Sequence, residues 1–150
     1  MSKLAEHLRF SWIDPYVAGF SEPNYSQKIE FLLSQGIRRI VTLTKRALPE
    51  SWVREYSLIN KHIPMHENGL PSEEQLVKFL TFVCQETEKG NKVGVHCQYG
   101  VSRTGMMLAL YLIKCKAYSS KEAISQIRSK RPLCLQSTSQ LEYLQEMSND

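Results

Sequence analysis

Within the run VGVHCQYGVSRTGMM, Val93 to Met107, a thiol, an arginine and the start of a helix fall close together. β-Forming residues lead to His96 and Cys97, a short loop containing Gly100 follows, and Arg103, Thr104 and Gly105 open an apolar stretch. A tight strand-to-helix loop turns successive backbone N–H groups inward as a nest, and the helix adds about half a positive charge at its N-terminus. An oxyanion the size of phosphate suits that cup. Arg103 stands six residues after Cys97, far enough for the loop to curl and bring its guanidinium fork against two oxygens of the same anion. Those positive surroundings favour the thiolate of Cys97, the form that attacks phosphorus. Gln98, Tyr99, Gly100, Val101, Ser102 and Arg103 are therefore expected to bind phosphate, with Cys97 as nucleophile. His96 is expected to hydrogen-bond loop carbonyls, Thr104 to donate to the sulfur, and Tyr99 and Val101 to shape the rim. A buried cysteine alone is usually a small hydrophobe, and an arginine alone usually a solvated charge. Their conjunction at this spacing, between a strand and a helix, has few competing explanations.

The elements that must hold this loop alternate along the chain. Phe10 to Phe20 reads as two short β segments broken at Asp14-Pro15, and Ser26 to Gln35 as a helix stopped by Gly36. Ile37 to Thr44 is strand-like, residues 47–57 read as irregular, and Leu58 to Pro64 as a short edge strand. Ser72, with Glu74 and Gln75 in the next turn, is a capped start for a helix running to Gly90. Lys92 to His96 is a buried strand, and Val101 to Lys116 is apolar on nearly all sides, as befits a central helix. Ser120 to Ser129 and Thr138 to Met147 complete the pattern as amphipathic helices. The alternation implies an α/β fold, a mostly parallel central sheet flanked by helices, in which ligands bind beyond the carboxyl ends of the strands. The Cys97–Arg103 loop falls there.

A chain of 150 residues, without repeats or Gly/Ser-rich linkers, suits a single domain over 1–150. The 23% of charged residues is near the globular average, and no apolar stretch approaches the roughly 18 residues needed to span a bilayer, so a soluble protein without membrane attachment is expected. The start, MSKLAEHLRFSW, lacks the apolar core of a secretion signal. Cys84, Cys97, Cys115 and Cys134 form neither a CxxC pair nor a zinc spacing, which points to a reducing, cytoplasmic or also nuclear location, with Cys115 and Cys134 simply packed. A net charge of +4, spread without basic runs, gives no case for nucleic acid.

HCQYGVSRTG resembles the HCxxGxxRT signature of the cysteine-dependent protein tyrosine and dual-specificity phosphatases. FSWIDPYVAGF, QGIRRIVTLT, GVHC, the buried helix with Leu108, Tyr111 and Leu112, and the RSKRP turn extend the likeness to small atypical members over nearly the whole chain. The resemblance implies a monomeric cysteine-phosphatase fold, a phosphorylated protein as substrate, Cys97 as nucleophile, Arg103 as clamp, a phosphocysteine intermediate, and no metal or organic cofactor. Phosphotyrosine is the expected target, with phosphoserine and phosphothreonine as further ones. A related RNA 5′-triphosphatase loop, HCTHGxNRTG, differs at Gln98, Tyr99 and Ser102, and the lysines of phosphoinositide phosphatase loops are missing from positions 98–102. A phosphoprotein-binding adaptor is a further alternative, against which the retained Cys97 speaks.

One part departs from the family pattern. Breaking a phosphate ester needs an acid for the leaving oxygen, typically worth 10²- to 10⁴-fold. Relatives carry an aspartate directly after an Ile-Pro, whereas here Met65 follows Ile63-Pro64, and a thioether donates no proton. Counting back from Gln75, Glu67 falls at the family's spacing and is the expected acid, with His66 second; Glu73 and Glu74 are expected to serve the helix dipole. Gln140 occupies the place of the residue that positions the hydrolytic water, and Gln136 replaces a glutamate of close relatives.

Overall fold

The computed structural model describes residues 3–148. Its elements run α1 (Lys3–His7), β1 (Ser11–Trp12), β2 (Val17–Phe20), α2 (Ser26–Ser34), β3 (Arg39–Thr42), α3 (Glu50–Glu55), β4 (Ile59–His62), α4 (Glu73–Glu88), β5 (Val93–His96), α5 (Ser102–Lys116), α6 (Ser120–Lys130) and α7 (Thr138–Met147). The five strands lie in the order β1-β2-β5-β3-β4, all neighbours parallel except the β1–β2 pair. The α/β fold expected from the alternation is the fold observed.

β5 lies at the centre, and each of its residues is buried. Parallel pairing sets His96 opposite Phe20 on one side and Thr42 on the other, so the ends of β2, β3 and β5 meet at one edge of the sheet. One apolar layer gathers α4, α6 and α7 around α5, whose residues from Arg103 to Ile113 are all buried. The other packs α1, α2 and α3 on the opposite face, with Phe20, Ile29, Leu32 and Ile37 at 0% exposure. At roughly 1.5–3 kcal/mol for each fully buried large side chain, these layers supply the main drive that fixes the sheet edge carrying the loop.

Local signals act where the sequence placed them. Ser72 and Gln75 form a reciprocal capping box at the start of α4, and Ser119 with Glu122 does the same for α6. Asp14 makes its turn by accepting from the amides of Tyr16 and Val17, both at 2.8 Å, while its second oxygen accepts from Tyr111 Oη at 2.7 Å. The turn is thereby tied to α5, and burial, with the Asp14 contact second, pushes the Tyr111 hydroxyl up.

Two expectations are corrected. Residues 47–57 are not irregular throughout, because Glu50–Glu55 forms α3 after Pro49. This helix has no fully buried residue and only six positions, so it lacks the long apolar stripe by which helices are read. Cys115 is not simply packed: it is joined to Cys84 by a disulfide with Cα atoms 5.8 Å apart, linking α5 to α4. A separation of 31 residues along the chain hides a pairing that the packing of two helices creates. Helix α1 was also unanticipated; with five residues and one buried side chain, Ala5, it carries too short a period to announce itself.

Candidate active site

The loop begins where β5 ends. Cys97 is 2% exposed and free, and the Thr104 hydroxyl donates to its Sγ at 3.0 Å. Helix α5 starts at Ser102 without a side-chain cap, and the backbone N–H groups of residues 98–103 have no acceptor among the described residues. Unpartnered amides curling into a helix N-terminus are what an anion cup requires. Gly100 makes the curl possible, with φ +71°, and a Cβ there would meet the Phe20 backbone at 2.7 Å. Arg103 is 7% exposed, and its Nη1 donates to the carbonyls of Leu43 at 3.3 Å and Met65 at 3.4 Å.

Two buried groups brace the loop from beneath. His96 Nδ1 lies 3.1 Å from the Cys97 carbonyl, which can only accept, so Nδ1 carries the proton. Nε2, 2.8 Å from Thr42 Oγ1, is then the acceptor for that hydroxyl. Asn60 Nδ2 in turn donates to Thr42 Oγ1 at 2.8 Å. A directed chain thus runs from Asn60 through Thr42 and His96 to the carbonyl of the nucleophile, across three strands. It works only with neutral imidazole. Burial pushes the His96 pKa down to about 4, opposed by the bond to the Cys97 carbonyl and assisted by Arg103 and His62. Arg131 is the second brace. Its Nη2 donates to Gly100 O at 2.6 Å, and its Nη1 to Gly19 O at 3.0 Å, Ser11 Oγ at 2.7 Å and the Arg9 carbonyl. Burial pulls its pKa below the ordinary range, with Cys134 and Cys97 opposing.

Above the cup lies the segment after β4. Met65 is 6% exposed and packs into the core, so the residue at the family's aspartate position is an anchor whose carbonyl holds Arg103. Glu67 lines a cavity of about 260 Å³ together with Arg103, Gln98, Glu22, Thr44, Lys45 and Arg46. His66 is exposed and is not among the residues lining that cavity. The Glu67 carbonyl accepts from Ser102 Oγ at 3.2 Å, which ties this loop to the phosphate loop.

Gln140 stands at the seam. It is 2% exposed, and its Nε2 approaches Ser102 O and Oγ, both at 3.2 Å, and Asn68 O at 3.5 Å. Gly69, with φ +75°, passes so close that a Cβ would collide with the Gln140 amide. Gln140 therefore joins the two loops and does not line the cavity itself. Gln136 braces its own turn, its Nε2 donating to Pro132 O at 3.1 Å. Buried Cys134 has its Sγ 3.8 Å from Gly100 O. Burial pushes its thiol up, with Arg131 opposing.

The structure thus brings Gln98, Arg103 and Glu67 onto one cavity, with Cys97 and Thr104 paired in the buried part of the same loop. Lys45, Arg46, Glu22 and the braces Thr42, Asn60 and Arg131 were not anticipated. For the two cations a signal existed, since they follow β3 at the same sheet edge where the strand-end rule placed Cys97.

Residues 7–149 match the family model described as "Swiss Army Knife protein, DSP-PTPase phosphatase domain". The chain is similar to protein tyrosine phosphatase domain-containing protein 1 of Bos taurus, 37% identical over 163 residues, covering 92% of this chain and 20% of the relative. Dual specificity protein phosphatase CDC14A of Homo sapiens is 26% identical over 137 residues, covering 82% of this chain and 23% of the relative. The chain spans about a fifth of the length of these relatives. Among solved structures, Tk-PTP in its active form superposes with a TM-score of 0.82 at 25% identity, covering 93% of this chain and 95% of that one. PTPMT1 in complex with PI(5)P gives 0.81 at 25% identity, covering 92% and 93%.

Proposed function

Because the chain belongs to the dual-specificity protein tyrosine phosphatase family, we propose that it hydrolyses phosphotyrosine in proteins, with phosphoserine and phosphothreonine as further substrates, through a phosphocysteine intermediate. The observation that carries this reading is the buried Cys97 sulfur beside unpartnered amides, with Arg103 and Glu67 on one cavity. The amides of residues 98–103 and the Arg103 fork hold the three non-bridging phosphate oxygens and gain strength as charge builds on them in the transition state. The Cys97 thiolate attacks phosphorus. As the ester bond breaks, the leaving oxygen takes a proton from Glu67 and departs as the tyrosine hydroxyl. The Thr104 hydroxyl, already on the sulfur, stabilises the thiolate before attack and when it leaves again.

In the second step a water, losing its proton to Glu67, attacks the phosphocysteine and frees inorganic phosphate. Gln140, which holds Ser102 from outside the cavity, is assigned a positioning role: it fixes the Ser102–Arg103 turn against which that water is aimed. The test is acid-quench mass spectrometry during turnover of a phosphotyrosyl peptide. Phosphate on Cys97 that disappears in Cys97→Ser, together with loss of turnover, is the expected result. Sustained turnover by Cys97→Ser, or binding of phosphopeptide without turnover in the wild type, overturns the reading.

A further inference from the structure

Lys45 and Arg46 stand on the same cavity as Arg103, and no step above uses them. They follow β3, the strand beside β5, so the parallel register that delivers Cys97 to the site delivers them too. Their backbone is pinned on both sides: His62 Nε2 donates to Thr44 O at 2.7 Å, and the Thr44 hydroxyl donates to Arg46 O at 2.9 Å. Among the described residues neither Lys45 nor Arg46 is in an ion pair, and neither is Arg103. The cavity therefore sets Lys45, Arg46 and Arg103 against the carboxylates of Glu22 and Glu67. When Glu67 carries the proton it is to donate, Glu22 alone opposes them.

One phosphate cannot employ all these cations. Its non-bridging oxygens are taken up by the loop amides and the Arg103 fork, leaving Lys45 and Arg46 for a different anion. We propose that they form a second anion subsite, and that the preferred substrate is a phosphotyrosyl peptide bearing an acidic side chain, carboxylate or phosphate, next to the phosphotyrosine. The inference deepens the phosphatase reading and rests on it. Both side chains are exposed, so they attract the substrate through a field that salt screens; they act on kcat/KM through encounter more than on kcat.

The experiment compares kcat/KM for a phosphotyrosyl peptide with Asp and Glu neighbours against its Asn and Gln counterpart. It is run in the wild type and in the double variant Lys45→Met, Arg46→Gln, at low and high salt. The readout is the acidic-to-neutral ratio within each protein, which cancels any change in the chemical step. The wild-type ratio is expected at about fivefold to tenfold in low salt, from two rim charges. It should fall below about twofold in the variant and in high salt. A wild-type ratio near one, or a high ratio that survives in the variant, overturns the subsite. A gain that depends on Lys45 and Arg46 for a soluble short-chain phosphoinositide but not for the acidic peptide overturns it too, in favour of a lipid headgroup. Cys97-dependent hydrolysis of an aryl phosphate in the same preparation separates the outcomes. If that fails, the phosphatase reading falls; if it holds while the peptide ratio stays near one, the subsite alone falls.

Discussion

Two loops face each other across the cavity, and they are held in different ways. The Cys97–Arg103 loop is buried at its ends and braced by hydrogen bonds of 2.6 Å from Arg131, 3.0 Å from Thr104 and 3.1 Å from His96. The loop carrying Glu67 is tied across the gap by contacts of 3.2 to 3.5 Å, passing through Ser102, Gln140 and Arg103. An anion cup works by having its donors in place before the ligand arrives, so its geometry is fixed by groups that cannot reach water. An acid must meet many leaving groups and exchange its proton with solvent, so its loop is lightly fastened. The difference teaches which residues tolerate change. The cup admits almost none, whereas the proposed acid, Glu67, stands two positions beyond Met65 on the looser loop.

Substitutions sharpen that contrast, beginning with the largest effect. Cys97→Ser should lower kcat on an aryl phosphate by about 10⁴-fold or more while leaving phosphopeptide binding measurable by calorimetry. Arg131→Met should destabilise the fold by on the order of 3 kcal/mol in urea unfolding, because Gly19 O and Gly100 O lose a buried donor. A shift under about 0.5 kcal/mol would mean that the cup does not depend on its brace. The histidine brace predicts a pH dependence. The folded His96 titrates at about 4 against an ordinary 6.5, so the unfolded chain binds more protons between those values. Stability from this group is therefore complete above about pH 6.5 and falls as the pH drops toward 4, by about 2 kcal/mol at pH 5. Urea midpoints at pH 7 and 5 should show that loss in the wild type and a reduced one in His96→Gln. Smallest is Gln140→Ala: about a threefold to tenfold drop in peptide turnover, with a loss of about 1 kcal/mol in urea unfolding as the buried amide leaves Ser102 O without its donor.

The same contrast explains how far the sequence could be read. The strand-to-helix switch at Val93–Met107 was legible because the β-run, the Cys97–Arg103 spacing and an apolar helix agree with one another. The sheet followed from alternation, and Ser72 announced α4 through a local cap. What remained hidden depends on distance in sequence. Arg131 reaches Gly100 across 31 positions and Thr42 reaches His96 across 54, contacts without a local period or motif. The Cys84–Cys115 pair exists only because α4 packs on α5. Glu67 was reached by counting back from Gln75, whose side-chain amide donates to Pro64 O at 2.7 Å across the base of the loop.

The claim that the acid is Glu67 is tested most directly by the pH dependence of kcat/KM on a phosphotyrosyl peptide, compared between wild type and Glu67→Gln. The wild type should show a falling basic limb as the acid loses its proton. Glu67→Gln should flatten that limb and lower the plateau by about 10²-fold. It should spare an aryl phosphate whose leaving group needs no proton. Superimposable profiles for the two proteins, with the basic limb intact, would contradict the account and return the proton to another donor.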